Sequence, residues 1–215
     1  MRSAALLSGL VMLLAAKAMP AQAATAGVLL GLNRASISGD APPKTEYSTR
    51  VGLAAGAQVE ICLARGVFLS LQPMYVQRGA GVTVADSTTE SRRREEDLAL
   101  DYVALPLVVR FAAMNGRTFV TGGIDTSFLS RARLINGDQV TDLKSAFHSS
   151  DVGVLLGFGL NFPINRSRLA VEARYVQGLL NLGASEEPAP PDVPDRIHSE
   201  GWQLTTGILF PLGGS

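Results

Sequence analysis

The chain has 215 residues, with 19 basic side chains set against 19 acidic ones. That length suits one domain, and the cancelled charge argues against nucleic acid as a main partner, because phosphate binding relies on a basic surplus. An apolar fraction of 47% with 18% charged residues excludes a disordered chain, and one cysteine excludes an internal disulfide and disfavours a structural zinc cluster.

The chain opens on an export signal. Arg2 supplies a positive start, residues 4–16 form an apolar run, Met19-Pro20 break it, and Ala21-Gln22-Ala23 fits a small-x-small cleavage site. The run is shorter than the roughly 20 apolar residues of a membrane-spanning helix. The expected organisation is a signal peptide over 1–23 and a single domain over 24–215.

After residue 24 the dominant period is two, the signature of strands. Eight segments carry it: 27–35, 51–61, 67–75, 103–111, 119–131, 152–160, 169–175 and 202–210. In the second, Val51, Leu53, Val59 and Ile61 alternate with Gly52, Gln58 and Glu60. In the fourth, Val103, Leu105, Leu107, Val109 and Phe111 oppose Tyr102, Pro106 and Arg110. In the seventh, Leu169, Val171, Ala173 and Tyr175 oppose Glu172 and Arg174. Most of these segments suit the roughly 9 to 11 tilted residues that cross a bilayer better than the usual 5 or 6 or so of a soluble strand.

The connections alternate as well. Those at 36–48, 79–97, 136–148 and 180–197 are long, and those at 63–66, 112–117 and 162–168 are short. An up-and-down meander puts every long loop at one end and every short turn at the other, as outer-membrane barrels do. The predicted fold class is therefore all-β: an eight-stranded antiparallel up-and-down transmembrane β-barrel. Its apolar faces meet lipid and its charges point inward, where an eight-stranded barrel has room only for side chains. Those charges must pair. Strand direction places Glu60, Arg110 and Glu172 in one tier near the short-turn end, with Arg174 just above, paired with Glu172 or across the barrel. Tyr75, Phe128, Tyr175 and Trp202 fall at the outer rim, and Phe111 and Phe210 at the inner rim.

The stretch Leu100-Asp101-Tyr102-Val103-Ala104-Leu105-Pro106-Leu107-Val108-Val109-Arg110-Phe111 resembles the central strand of the PorT-like outer-membrane beta-barrel family, small porin-family barrels of OmpA-like, eight-stranded build. Ser150-Asp151-Val152-Gly153 with Gly157-Phe158-Gly159 is similar to that family's sixth strand, and Val171-Glu172-Ala173-Arg174-Tyr175 to its seventh. The resemblance implies an integral barrel in the outer membrane of a Gram-negative envelope. The chain departs from the family at Ala104, where an acidic residue is frequent, and in continuing past Phe210 to Ser215.

The residues offer little chemistry. His148 and His198 lie in or beside long connections, near Ser149, Ser150, Asp151 and Glu200. A rim hydrolase would need nucleophile–base geometry among them, and loop serines and histidines are more often merely solvated. The same holds for a metal set of His148, Asp138 and Asp142. The run from Arg92 to Asp97 nearly cancels its own charge and reads as a solvated loop. The expectation is a non-enzymatic barrel without cofactor, catalytic residues or metal. Its partners are outer-membrane lipid and the barrel-assembly machinery, its state is monomeric, and its work is structural or done by external loops. The competing reading is a secreted lipocalin-like binder, which would turn the apolar face inward.

Overall fold

The structure is a computed structural model that describes residues 24–39, 45–85, 93–137, 139–144, 147–180 and 197–212. The leader at 1–23, Arg92, Asp138 and the proline-rich stretch at 186–194 lie outside the described residues.

The segments with period-two patterning form strands β1 (Ala24–Gly39), β2 (Thr45–Ala64), β3 (Val67–Leu71), β4 (Met74–Ala85), β5 (Arg93–Ala112), β6 (Thr118–Asn136), β7 (Gln139–Asp142), β8 (Ser150–Ile164), β9 (Ser167–Gly178) and β10 (Ile197–Pro211). Pairing runs antiparallel from β1 through β2, β3 with β4, β5, β6, β8, β9 and β10, and β10 returns to β1, with Leu32 opposite Leu204. The ring closes at its base, where the Leu212 N–H donates to the Ala24 carbonyl at 2.8 Å. Eight staves result, because β3 and β4 form one and β7 adds none to the ring. Closure pairs every stave on both sides, which a hydrocarbon surround demands.

Ten segments appear where eight were expected, for two local reasons. Pro73 has no N–H to donate, so Gln72-Pro73 interrupt the third stave without breaking it. Gln72 N–H still reaches the Pro106 carbonyl, and Ala57 N–H the Pro73 carbonyl, both at 3.0 Å. The connection read as a plain loop over 136–148 contains β7, a short exposed strand laid back on β6. β2, β4, β5 and β6 also run on into stretches read as loops, since backbone pairing continues where the apolar band ends.

One seam is stitched by side chains. The β2–β4 register shifts between Thr49 and Ala54. There Leu53 N–H donates to Gln77 Oε1 at 3.1 Å, Arg50 Nη1 to the Arg78 carbonyl at 3.2 Å, and Asn33 Nδ2 to the Gln77 carbonyl at 2.8 Å. Gly79 sits at the same break with φ +131, and a Cβ there would overlap the Leu98 carbonyl. A side chain at that position would conflict with both the backbone conformation and the space.

Burial settles which face is inside. Leu30, Leu53, Leu156 and Phe158 stand exposed on the outer wall, Leu156 at 71%, whereas Arg174 is 1% exposed within. A lipocalin-like barrel would show the reverse, so that alternative is excluded by the side-chain parity. The outward aromatics sort by height: Tyr75, Phe128 and Trp202 at one end of the apolar band, Phe111, Phe162 and Phe210 at the other.

Candidate functional site

The interior is the candidate site, because inward positions collect nearly all the buried polarity. Even-numbered residues of β2, β5 and β9 and odd-numbered residues of β6, below its bulge, point inward, as strand alternation requires. Three tiers follow from the register.

The lower tier lies beside the short turns. Glu60 of β2 accepts from Arg110 of β5, from Arg168 Nη2 of β9 at 2.8 Å, and from Gln58 Nε2 at 3.4 Å. The Arg110 guanidinium lies between the rings of Phe68 and Phe119, 4.8 and 5.0 Å from their centroids, and reaches Asn161 Oδ1 at 3.4 Å. Two ring faces and a carboxylate together replace the water an arginine loses on burial. Glu172 takes the Thr121 hydroxyl at 2.8 Å. This tier closes the barrel at its base.

The middle tier is Arg174. Its Nε donates to Gln203 Oε1 at 2.9 Å, its Nη1 to Gln72 Oε1 at 2.6 Å, and its Nη2 lies 3.0 Å from the Met74 sulfur. All three partners are neutral. The expected pairing of Arg174 with Glu172, Glu60 or Arg110 does not occur. Residues two apart on a strand share a face but stand at different heights, and Arg174 bonds instead to Gln203, its register partner on the adjacent β10, and across the lumen to Gln72.

The upper tier joins Arg78 of β4 to Asp125 of β6, to Ser127 Oγ at 3.2 Å and to Asp151 of β8 at 3.5 Å, over the Tyr102 ring at 5.1 Å. The Ser199 hydroxyl completes it, donating to Asp151 Oδ2 at 2.7 Å. Above it, Leu98, Leu100, Leu129, Ala132 and Phe147 form an apolar cluster on the β5–β6 side.

Of the predicted charge cluster, Glu60 and Arg110 are bonded to each other, Glu172 lies in the same tier on Thr121, and Arg174 stands apart. Arg78, Asp125, Asp151 and Arg168 were not counted in it. Arg78 shares the parity of Gln72, and Arg168 that of Glu172, so strand parity could have found both. Asp151, weighed as a rim residue, is buried against Ser199. His148 is exposed, and His198 Nδ1 lies 3.2 Å from the Leu180 carbonyl, so the structure does not assemble the hydrolase set. Among the described residues no group of histidine, cysteine or carboxylate side chains is arranged to hold a metal.

Arg78, Arg110, Arg168 and Arg174 match Glu60, Asp125, Asp151 and Glu172 across the three tiers, although the tiers are not individually neutral, and higher up the buried Asp101 pairs with the half-exposed Arg133 at 3.1 Å. Only small voids of about 10 Å³ each remain inside: a lower one lined by Gln72, Arg110 and Glu172, and an upper one lined by Arg78 and Gln203.

A closed antiparallel ring with an apolar exterior and a charge-paired interior defines a transmembrane β-barrel. A family model described as "Outer membrane protein beta-barrel domain" matches residues 20–183, and the chain belongs to that family. No curated protein matches it. Among solved structures it is similar to Ail of Yersinia pestis, crystallised with a heparin analogue (13% identity, 87% of this chain and 99% of that chain covered, TM-score 0.46). It is similar to Neisserial surface protein A (12%, 87% and 97%, TM-score 0.47). It is also similar to OprG of Pseudomonas aeruginosa (12%, 89% and 98%, TM-score 0.46).

Proposed function

We propose that this protein is a closed, non-enzymatic outer-membrane barrel of the PorT-like kind, a rigid mount that holds its long connections outside a Gram-negative cell. Residues 1–23 direct its export, and it works as a monomer in outer-membrane lipid after insertion by the assembly machinery. The observation that carries the reading is the lumen. Arg110 with its two rings and Glu60 fills the base, and Arg174 with Gln72 and Gln203 fills the waist. A pore conducts only where ions can enter and leave a continuous wet path, and two side-chain tiers interrupt that path. The charge network therefore serves stability and shape, and interactions with other molecules fall to the loops.

Recording in planar lipid bilayers tests this. The purified barrel should insert without producing discrete conductance steps. Reproducible steps from folded protein would make it a channel and refute the closed-lumen reading.

A further inference from the structure

The three short turns share a feature that the lumen does not explain. Each carries one exposed arginine: Arg65 between β2 and β3, Arg117 between β5 and β6, and Arg166 between β8 and β9. Each of the three is next to a residue in the left-handed region, with Gly66 at φ +79, Gly116 at +67 and Asn165 at +52. The turns are tight, and Asn115 Oδ1 fixes one further by accepting from the Arg117 N–H at 2.9 Å. No acidic residue occurs in any of the three turns. The carboxylates nearest this end, Glu60 and Glu172, are buried inside the barrel and face Arg110, Arg168 and Thr121. Among the described residues no carboxylate pairs with any of these three exposed arginines.

Just outside them runs the rim of the apolar wall. Leu63, Phe111, Phe162, Ile164, Phe210 and Leu212 are exposed at this end. Met114, in the same turn as Arg117, is wholly exposed. An arginine within a residue or two of exposed apolar side chains keeps its stem along hydrocarbon and its head at the level of lipid phosphates.

We propose that Arg65, Arg117 and Arg166 form a ring that binds the phosphate groups of anionic phospholipid in the leaflet at the short-turn end, seating the barrel's base in the bilayer. The proposal rests on the reading of the chain as a membrane barrel and adds a lipid class and a leaflet to it. The guanidinium fork suits phosphate oxygens. Spacing the charges on three separate turns suits a planar array of headgroups better than a single compact ligand.

The test uses the mature protein refolded into phosphatidylcholine vesicles doped with spin-labelled phosphatidylglycerol or spin-labelled phosphatidylcholine. Electron spin resonance then reads the lipid held at the barrel surface. Wild type should prefer the anionic label by about two- to fivefold, and the preference should shrink as salt screens it. Arg65→Gln/Arg117→Gln/Arg166→Gln should abolish the preference, and the same three positions changed to Lys should keep most of it. Arg34→Gln/Arg131→Gln, exposed positions toward the opposite end, should leave it intact. If the triple Gln variant does not fold, as judged by its unboiled gel migration, the three single substitutions should each remove part of the preference. Equal affinity of wild type for both labels overturns the proposal, as does a preference that survives the triple Gln substitution. Binding of wild type to isolated peptidoglycan through the same arginines, without any lipid preference, overturns it in favour of the cell wall. Failure of wild type to insert at all would strike the membrane-barrel reading itself, a result distinct from insertion without preference.

Discussion

Glu60→Leu probes the base of the lumen most sharply. Glu60 is 1% exposed and takes bonds from two arginines and a glutamine. Without it Arg110, itself 3% exposed, keeps only a 3.4 Å contact to Asn161 and two ring faces. Leaving a buried charge uncompensated costs about 3–5 kcal/mol. Arg168 adds less, because its side chain is 24% exposed and can turn to water. Replacing both members, Glu60→Leu with Arg110→Met, removes the stranded charge and should recover part of the loss, with a coupling energy of roughly 2 kcal/mol. The parallel cycle of Glu172→Leu with Arg174→Met should show far less coupling, since these two side chains have separate partners. Urea titration in lipid vesicles, with the folded fraction read from unboiled gels, gives all the terms. If Glu60→Leu unfolds at the wild-type urea concentration, Glu60 is not buried among charges and the inward assignment of β2 is wrong.

Other consequences are as direct. The folded barrel should resist SDS until boiled and then migrate at a different apparent mass, because a closed sheet has no free edge for detergent to open. A mature protein soluble without detergent would contradict this. Protease added to intact cells should cut at 92–94 or within 180–197 and spare the short turns, and cleavage confined to 115–117 would invert the topology. Gly79→Val should lower folding yield markedly, as it places a β-branched side chain at positive φ against the Leu98 carbonyl; an unchanged yield would show that the β2–β4 seam is not constrained there.

Much of this architecture was legible because a barrel writes its two faces into alternate residues. Val51 through Ile61 and Val103 through Phe111 show the alternation cleanly, and the lipid-facing set followed from it. The irregularities were not legible, because most depend on a neighbour distant in sequence. The register shift at Asp101/Tyr102 puts both Leu129 and Ala132 inside, a change of parity that β6 alone does not announce. β7 is a local hairpin return, with Asn136 opposite Gln139, but it is exposed along its whole length and so carries no apolar alternation to mark it. The partners of Arg174 come from β4's approach and from β10, at separations of 102 and 29 residues. Parity states that a charge points inward; only the stagger between staves determines which groups meet at its height. Parity and strand direction therefore bring Glu60 and Arg110 together, whereas the neighbours of Arg174 follow only from the stagger.

If the apolar face meets lipid while the charges face inward, the chain's single tryptophan reports it directly. Trp202 is 55% exposed on the outer wall, its ring centroid 5.4 Å from that of Tyr175, at the end of the apolar band away from the short turns. Its fluorescence should be recorded in vesicles made from lipids brominated at successive acyl depths, with acrylamide as the aqueous quencher. Quenching by bromines should be strong, greatest at shallow positions near the headgroups, and quenching by acrylamide weak. Full accessibility to acrylamide with no effect of brominated lipid would place Trp202 in water and contradict a barrel whose apolar wall faces the membrane.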